Sequence, residues 1–154
     1  MAAPGFFERG GSWVIAQSVL MVAVLAAGPI WPGESSPRTT VVATVLLLLG
    51  GTVGTWGALV LRGNRTIFPR PNAGSSLVQT GVYRWIRHPL YFSVITLAAA
   101  WATFWASWPT AGIALGLGVL LLFKAAREER WLLEHFPGYA AYRQRTWRLV
   151  PGLF

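Results

Sequence analysis

Two short segments contain the side chains best suited to chemistry. The first reads Arg87-His88-Pro89-Leu90-Tyr91, and the second contains the carboxylate pair Glu128-Glu129. A helix start anchored by arginines explains the arginine and the proline of the first segment, but not His88 or Tyr91. Adjacent carboxylates on a helix point about 100° apart, so one glutamate is expected to face other helices and to need a cationic partner. Solvated charge on an amphipathic helix is the alternative interpretation of the glutamate pair.

The composition excludes several classes of protein and of site. Of the 154 residues, 54% are apolar and 12% are charged, whereas soluble domains contain about 25% charged residues. The chain has no cysteine, which excludes disulfides, thiolate zinc sites and cysteine nucleophiles. Two histidines and five acidic residues without a metal-ligand spacing predict no metal site. Any chemistry is therefore expected at the helix ends and loops of a membrane protein.

Three stretches without a charged residue predict membrane-spanning helices. They comprise residues 10–33, 39–61 and 89–123, which are 24, 23 and 35 residues long. A span needs about 20 residues. The third stretch would be about 52 Å long as one helix, and Pro109 interrupts it, so it predicts a tight hairpin. The predicted spans are approximately residues 13–30, 40–61, 89–105 and 110–124, and the last helix is expected to continue past Lys124 into the headgroup region.

The first two predicted spans each allow a second interpretation. The first could be a signal peptide, with Arg9 as its charged end and Ala26-Ala27-Gly28 near a cleavage site. In the second, Gly50 and Gly54 form a GxxxG pattern, which is typical of close helix packing. We interpret this pattern as packing inside the bundle rather than as a dimer face.

Basic residues are concentrated in two segments, which predicts the orientation of the chain in the membrane. The net charge of +8 lies entirely in residues 62–88 (+5) and 124–154 (+3). Short basic loops remain in the cytoplasm, so both segments are expected there, where the hairpin brings them together. The sequence thus predicts an all-α, multi-pass membrane protein, with four transmembrane helices and cytoplasmic juxtamembrane helices and termini. Because orientation explains the basic residues, no nucleic-acid partner is expected.

A resemblance to a known family covers residues 65–154. The first motif that carries it reads Leu77-Val78-x-x-Gly81-Val82-Tyr83-x-x-x-Arg87-His88-Pro89-x-Tyr91. The later elements are Glu128-Glu129, His135-Phe136-x-Gly138, Tyr139, Tyr142 and Pro151. In this order they resemble the isoprenylcysteine carboxyl methyltransferases, and the related phospholipid methyltransferases share the Arg-His-Pro and Glu-Glu elements. The resemblance implies one membrane-embedded domain over residues 1–154, with its cofactor region in residues 65–154.

The resemblance also implies an enzyme that uses S-adenosylmethionine and releases S-adenosylhomocysteine. Its implied cofactor contacts are Ser75, Ser76, Leu77, Val78, Tyr83, His88, Pro89, Leu90, Tyr91 and Glu129. Glu129 is expected to pair with the ammonium group of the cofactor, and His88 or Arg87 to receive its carboxylate. His88 and Arg87 are therefore the candidate catalytic residues. If the acceptor is an amine or a hydroxyl, His88 is also the candidate base.

The implied methyl acceptor is a lipophilic molecule dissolved in the membrane, either an isoprenylcysteine carboxylate or another lipid. The substrate-binding arginine of the family falls on Ala125, and the candidate substrate contacts are the neighbouring charged residues Lys124, Arg127 and Glu128. A non-catalytic scaffold or transporter-associated membrane protein is the alternative function, in which the motifs are only flanking charge. A transporter typically carries ionisable residues within its spans, and the charge-free stretches have none. The sequence leaves the acceptor and the oligomeric state open.

Overall fold

The computed structural model describes residues 5–62, 74 and 76–153, and in this part of the chain all regular secondary structure is helical. The helices are α1 (Gly11–Ile30), α2 (Pro37–Leu61), α3 (Pro89–Phe104), α4 (Trp108–His135) and α5 (Tyr139–Gln144). A short 3-10 helix, Gly81–Arg84, precedes α3. The prediction of an all-α protein is thereby confirmed for the described residues.

Three of the helices are long and apolar enough to cross a membrane. These are α1, α2 and α4, in which an apolar stretch of 18 residues has a mean hydropathy of 2.0, 1.8 and 1.7, respectively. The remaining apolar helix, α3, has 16 residues and is about 24 Å long at 1.5 Å per residue. Large apolar side chains on α1 and α2 are exposed, such as Val22 and Leu48, as expected for helices that are hydrophobic all round and face lipid. The helices therefore indicate an integral membrane protein.

Serine caps and prolines define where two of these helices begin. Ser36 accepts a hydrogen bond from the backbone N–H of Thr39 at 3.2 Å, and the Thr39 hydroxyl accepts one from the Ser36 N–H at 2.8 Å, so together they form a capping box for α2. Ser107 caps α4, and Pro109 lies in its first turn. Ala106 makes the turn before it, with a left-handed φ of 47°. The predicted hairpin at Pro109 is thus confirmed.

Helix α4 extends on both sides of the last predicted span, residues 110–124. It begins at Trp108 and continues to His135, in agreement with the expectation that this arm continues past Lys124. The apolar stretch ends at Lys124. That point marks a change from apolar to charged side chains and not an end of the helix, because alanine, arginine, glutamate and leucine are all good helix formers. The extra turns carry the glutamate pair beyond the apolar part of the bundle.

A stripe of glycines allows α2 and α3 to pack closely. The hydroxyl of Ser93 in α3 donates a hydrogen bond of 2.7 Å to the carbonyl oxygen of Gly50. A methyl group added at Gly54 would collide with Ser93, and one added at Gly57 would meet Pro89 at 3.2 Å. The interpretation of the GxxxG pattern as packing inside the bundle is confirmed. This contact fixes the start of α3, where the candidate site residues lie.

Replacing Gly54 with valine is therefore expected to destabilise the protein. The added side chain must displace Ser93 and force α2 away from α3, and overpacking of this kind costs about 1–3 kcal/mol. Gly51→Val is the matched control, because it places the same residue in the same helix where nothing lies within 4 Å of the added carbon. Thermal unfolding of both variants in detergent measures the difference. Equal unfolding temperatures for the two variants would contradict the packing described here.

The chain after α5 folds back against the segment before α3. The backbone N–H of Trp147 donates to the Trp85 carbonyl at 2.9 Å, and the N–H of Arg87 donates to the Trp147 carbonyl at 2.8 Å. Ile86 and Trp147 thereby form an isolated parallel bridge. The hydroxyl of Tyr142 in α5 adds a hydrogen bond of 2.7 Å to the carbonyl oxygen of Tyr83. These contacts hold the Arg87-His88 segment against α5 and the chain that follows it.

Candidate active site

A cavity of about 130 Å³ lies where α3 begins, between α4, α5 and residues 76–78. We call it the basic-end cavity because Arg87 lines it. The other predicted site residues that line it are Ser76, Leu77, Val78, Tyr83, His88, Pro89, Leu90, Tyr91 and Glu128. Of the remaining predicted site residues, Ser75 lies outside the described residues. Lys124, Arg127 and Glu129 are described, and they do not line this cavity.

Glu129 lies beside the cavity in a buried ion-pair network. Its side chain is about 3% exposed, and its Oε1 accepts a hydrogen bond from Arg87 Nε at 2.9 Å. Its Oε2 accepts one from Arg148 Nη2 at 2.9 Å, and His88 Nε2 is 3.3 Å from Oε1. A buried carboxylate is tolerated only with such partners. The prediction that one glutamate faces other helices and finds cationic partners is confirmed, and both oxygens of Glu129 are engaged within the protein.

Arg87 joins three parts of the chain. Besides its bond to Glu129 in α4, its Nη1 donates to the Arg143 carbonyl in α5 at 3.0 Å. The same nitrogen also donates to the carbonyl oxygen of Thr146. A guanidinium has several donors in a fixed plane, which suits it to this bridging. These contacts make Arg87 part of the frame that shapes the cavity, and its predicted catalytic role stays a prediction.

His88 lies between the two glutamates. Its Nδ1 is 3.6 Å from Glu128 Oε2, on the opposite side of the ring from Glu129. The His88 ring also stacks on Tyr91, with centroids 5.3 Å apart and an angle of 1° between the planes. The Tyr91 hydroxyl in turn donates to Glu128 Oε2 at 2.8 Å. His88, Tyr91 and Glu128 therefore form one connected polar wall of the cavity.

The structure separates the two predicted cationic substrate contacts. Lys124 is 3% exposed, and its Nζ donates to Gln17 of α1 at 2.6 Å. The same Nζ lies 5.5 Å from the centre of the Tyr91 ring. Arg127 is exposed, and its guanidinium stacks over Trp131 at 4.8 Å. Lys124 is therefore held inside the bundle next to the cavity wall, while Arg127 lies on an outer face of α4.

Three buried phenols around the cavity are neutral at ordinary pH. Burial raises the pKa of Tyr142 to about 12. Burial raises the pKa of Tyr83 and of Tyr139 further, and the negative charge of Glu128 or Glu129 adds to the effect. A neutral phenol can donate a hydrogen bond but cannot act as a base near neutral pH. The raised pKa values therefore disfavour a tyrosinate base at these three positions.

Several residues of the site were not assigned a role from the sequence. The additional residues that line the cavity are Leu61, Leu132, Phe136, Tyr139 and Tyr142. Phe136 and the two tyrosines belong to the motif that carries the resemblance, whereas no signal in the sequence distinguishes Leu61 and Leu132. Arg148 was not among the predicted site residues, but its side chain pairs with Glu129. The signal that could have found it is the need of an inward-facing glutamate for a cationic partner, which the arginine-rich end of the chain can supply.

A second, larger cavity of about 750 Å³ lies near the other end of α3. Its walls are largely apolar or small side chains of α3 and α4, and Glu34 contributes a carboxylate from the loop after α1. The α3 residues Ile95, Ala99 and Ala102 line it, and they follow Tyr91 at intervals of four, four and three residues. Residues at this spacing share one helix face. The two cavities therefore lie along the same face of α3.

Comparison with known proteins gives a family match and two relatives. The family model of the isoprenylcysteine carboxyl methyltransferase (ICMT) family matches residues 41–135. The cobalt-zinc-cadmium resistance protein CzcN of Cupriavidus metallidurans is 29% identical over 154 residues, which cover 95% of this chain and 65% of the relative. The nickel-cobalt-cadmium resistance protein NccN of Alcaligenes xylosoxydans xylosoxydans is 28% identical over 153 residues, which cover 95% and 66%. The chain thus spans about two thirds of the length of these curated relatives.

The names of these relatives raise the question of a metal site in this chain. Within residues 5–62, 74 and 76–153, no group of three or more histidine, cysteine, aspartate or glutamate side chains is arranged to hold a metal ion. His88, Glu128 and Glu129 come together, but Glu129 is bound by two arginines. Because Arg87 binds one oxygen of Glu129 and Arg148 binds the other, this carboxylate is poorly placed to bind a metal ion together with His88 and Glu128. The donor set suits charged organic groups better than a metal ion.

Proposed function

Because the chain belongs to the isoprenylcysteine carboxyl methyltransferase family, we propose that it methylates a lipophilic acceptor with S-adenosylmethionine at the membrane surface. The family is one of methyltransferases, and the helices indicate a membrane protein. One observation carries the proposal. Eight of the ten residues that the resemblance assigns to the cofactor, all of the described ones except Glu129, line one cavity, although they come from a loop, a 3-10 helix and the start of α3, and Glu128 joins them from α4. When bound, the cofactor supplies a methyl group on a cationic sulfur.

The chemistry of the cavity fits this cofactor. Glu128 offers a carboxylate for an ammonium group, and its side chain is 23% exposed. The aromatic rings of Tyr83, Tyr91 and Phe136 line the same space and suit an adenine ring or a sulfonium. We assign the ammonium contact to Glu128 rather than Glu129, because both oxygens of Glu129 already bind arginines. Glu129 then acts by holding Arg87 and His88 in position.

The walls of the cavity have to part for a nucleoside cofactor to enter. The cavity measures about 130 Å³, whereas pockets that enclose ligands of this class typically measure about 300–1,000 Å³. Residues 76–78 are the wall without regular secondary structure, and the other walls are helices tied together by the Arg87–Glu129–Arg148 network. We therefore expect residues 76–78 to shift on binding, while α3 and α4 stay in place.

The two cavities along α3 supply a path for the acceptor. Its reactive head would lie at Tyr91 and Glu128, and its apolar tail would follow Ile95, Ala99 and Ala102 toward the second cavity. Transfer requires the acceptor atom and the methyl group to be held in line, and a tail bound along α3 restricts the position of the head. A carboxylate acceptor needs no base. For an amine or a hydroxyl, His88 is the candidate base, since it lies in the cavity wall between two carboxylates.

We further propose that α3 makes a fourth crossing and that the basic-end cavity faces the cytoplasm of a bacterial inner membrane. The turn after α3 and the start of α4 place both ends of this hairpin on one side. The two segments that flank it carry all of the net charge of +8, and basic segments remain cytoplasmic. Both termini would then be cytoplasmic too, with membrane lipids as surroundings and no nucleic-acid partner.

Transfer of label from tritiated S-adenosylmethionine into lipid tests the proposal. Membranes that contain the protein are incubated with S-adenosylmethionine labelled in its methyl group, and label is counted in the organic extract. We expect label above that of membranes without the protein, and a loss of at least about tenfold in the His88→Asn variant, because a positioned polar group in the site contributes about this much or more. Extractable label equal to the background, with well-inserted protein, would contradict the proposal.

The two relatives are named as metal-resistance proteins, and we propose a non-catalytic accessory role in metal resistance as the second candidate. The two candidates differ in what they require of Glu128. An accessory protein needs only the fold, so a host that depends on this protein for growth on cobalt or cadmium should tolerate Glu128→Gln. If resistance depends on methyl transfer, the same variant should lose it while remaining at normal levels in the membrane. Growth on graded metal concentrations separates the two.

A further inference from the structure

Tyr139 presents a hydroxyl group that the folded protein does not use. The residue is 1% exposed and lines the basic-end cavity. Its hydroxyl is buried and has no hydrogen-bond partner among the described residues. Two other tyrosines that line the cavity differ, because the hydroxyl of Tyr142 donates to the Tyr83 carbonyl at 2.7 Å and that of Tyr91 donates to Glu128 at 2.8 Å. Tyr139 is thus the exception among these three.

A buried hydroxyl without a partner destabilises the folded protein. Nearly all buried polar groups in native structures are paired, and each exception calls for an explanation. Packing does not supply one here, since the Tyr139 ring contacts the Tyr142 ring edge-on at 5.7 Å, and phenylalanine makes the same contact. The hydroxyl therefore carries a penalty that the fold alone does not require.

The surroundings of Tyr139 indicate what could pair with its hydroxyl. Burial and the negative charge of Glu129 raise the pKa of this phenol, so it is a neutral donor. It lies in α5, outside the membrane-spanning helices, and it lines the basic-end cavity but not the second cavity, where the apolar tail of the acceptor is proposed to lie. A lipophilic acceptor would approach from the second cavity. The ligand that enters from the aqueous side is the cofactor, whose ribose hydroxyls and carboxylate are hydrogen-bond acceptors.

We propose that the Tyr139 hydroxyl donates a hydrogen bond to an oxygen atom of the bound S-adenosyl cofactor. This inference rests on the proposed function and adds a cofactor-binding residue to it. The folded protein keeps the hydroxyl at a cost in stability, and the bound ligand satisfies it. Such a residue contributes to affinity and specificity because an analogue that lacks the matching oxygen leaves the donor unpaired again.

The Tyr139→Phe variant tests this inference through two measurements on the purified full chain. Thermal unfolding without ligand should occur at the same temperature as in the wild type or at a higher one, because the lost hydroxyl had no partner in the protein. Calorimetric titration with S-adenosylhomocysteine should give a dissociation constant about tenfold higher than that of the wild type. A merely structural tyrosine would not show this combination.

Tyr142→Phe is the matched control. Its hydroxyl is bound to the Tyr83 carbonyl within the protein, so this variant should unfold at a lower temperature than the wild type. Two results would overturn the inference for Tyr139: a dissociation constant unchanged in Tyr139→Phe, or a clear fall in its unfolding temperature. A wild-type protein that binds no S-adenosylhomocysteine would instead overturn the proposed function and this inference with it. That outcome is visible without any variant.

Discussion

Replacing Glu129 with glutamine is expected to lower the free energy of unfolding by about 3–5 kcal/mol, because removing one member of a buried ion pair leaves the others unpaired. Glu129 binds Arg87 and Arg148 and contacts His88. A neutral amide cannot balance two guanidinium groups, and its nitrogen would point a donor at one of them. Arg87 in turn holds Thr146 and α5, so the loss should spread through the basic end of the bundle. Denaturant unfolding in mild detergent measures it.

Glu134→Gln provides the matched control for this experiment. It makes the same substitution in the same helix at an exposed position, where changes are usually within about 0.5 kcal/mol. Unfolding free energies that fall equally in the two variants would contradict the account, because they would show that the Arg87–Glu129–Arg148 contacts do not stabilise the protein.

Replacing Glu128 with glutamine is expected to weaken the binding of S-adenosylhomocysteine by about 10- to 100-fold, since a hydrogen bond to a charged group contributes about 1.5–3 kcal/mol. Glu128 is the carboxylate that lines the basic-end cavity, and the proposed partner is the ammonium group of the cofactor. The stability of the Glu128→Gln variant should stay close to that of the wild type, because the amide oxygen of the glutamine still accepts the hydrogen bond from Tyr91. Calorimetric titration of both proteins measures the ratio.

The same substitution at the two neighbouring glutamates is therefore expected to give different phenotypes. Glu128→Gln should remain folded and lose affinity, whereas Glu129→Gln should lose stability first. A stable Glu129→Gln protein that fails to bind ligand, beside a Glu128→Gln protein that binds normally, would reverse the two roles. It would also restore the assignment of the cofactor's ammonium to Glu129 that the resemblance implied.

Much of the helical framework follows from the sequence. The charge-free stretches predict α1 and α2, and Pro109 predicts the hairpin between α3 and α4, because length and proline chemistry act locally. The continuation of α4 past Lys124 also follows, because a helix continues through charged residues of good propensity when nothing stops it. Helix α3 is the shortest of the four apolar helices. Pro89 lies at its start, and the turn at Ala106 follows its end.

The sequence predicts most of the residues that form the candidate site, but it does not predict which role each residue has. Spacing alone shows that Glu128 and Glu129 cannot both face outward, but it does not show which one faces the cavity. That choice depends on the docking of residues 145–149 against the Arg87-His88 segment, which brings Arg148 to Glu129. The contact joins residues 19 apart along the chain through a turn after α5. The role proposed for Tyr139 could not be predicted for the same reason, because an unpaired hydroxyl is recognisable only when its surroundings are known.

Binding of S-adenosylhomocysteine to the wild-type protein tests the central claim most directly. The purified chain is titrated by calorimetry in lipid nanodiscs, with helical content and unfolding measured on the same sample. Saturable binding of one ligand per chain, weakened in Glu128→Gln, is the predicted result, and it would establish the basic-end cavity as the cofactor site. Folded protein that shows no saturable binding in nanodiscs or in detergent would contradict the account and leave a membrane protein with the family's fold but without its cofactor.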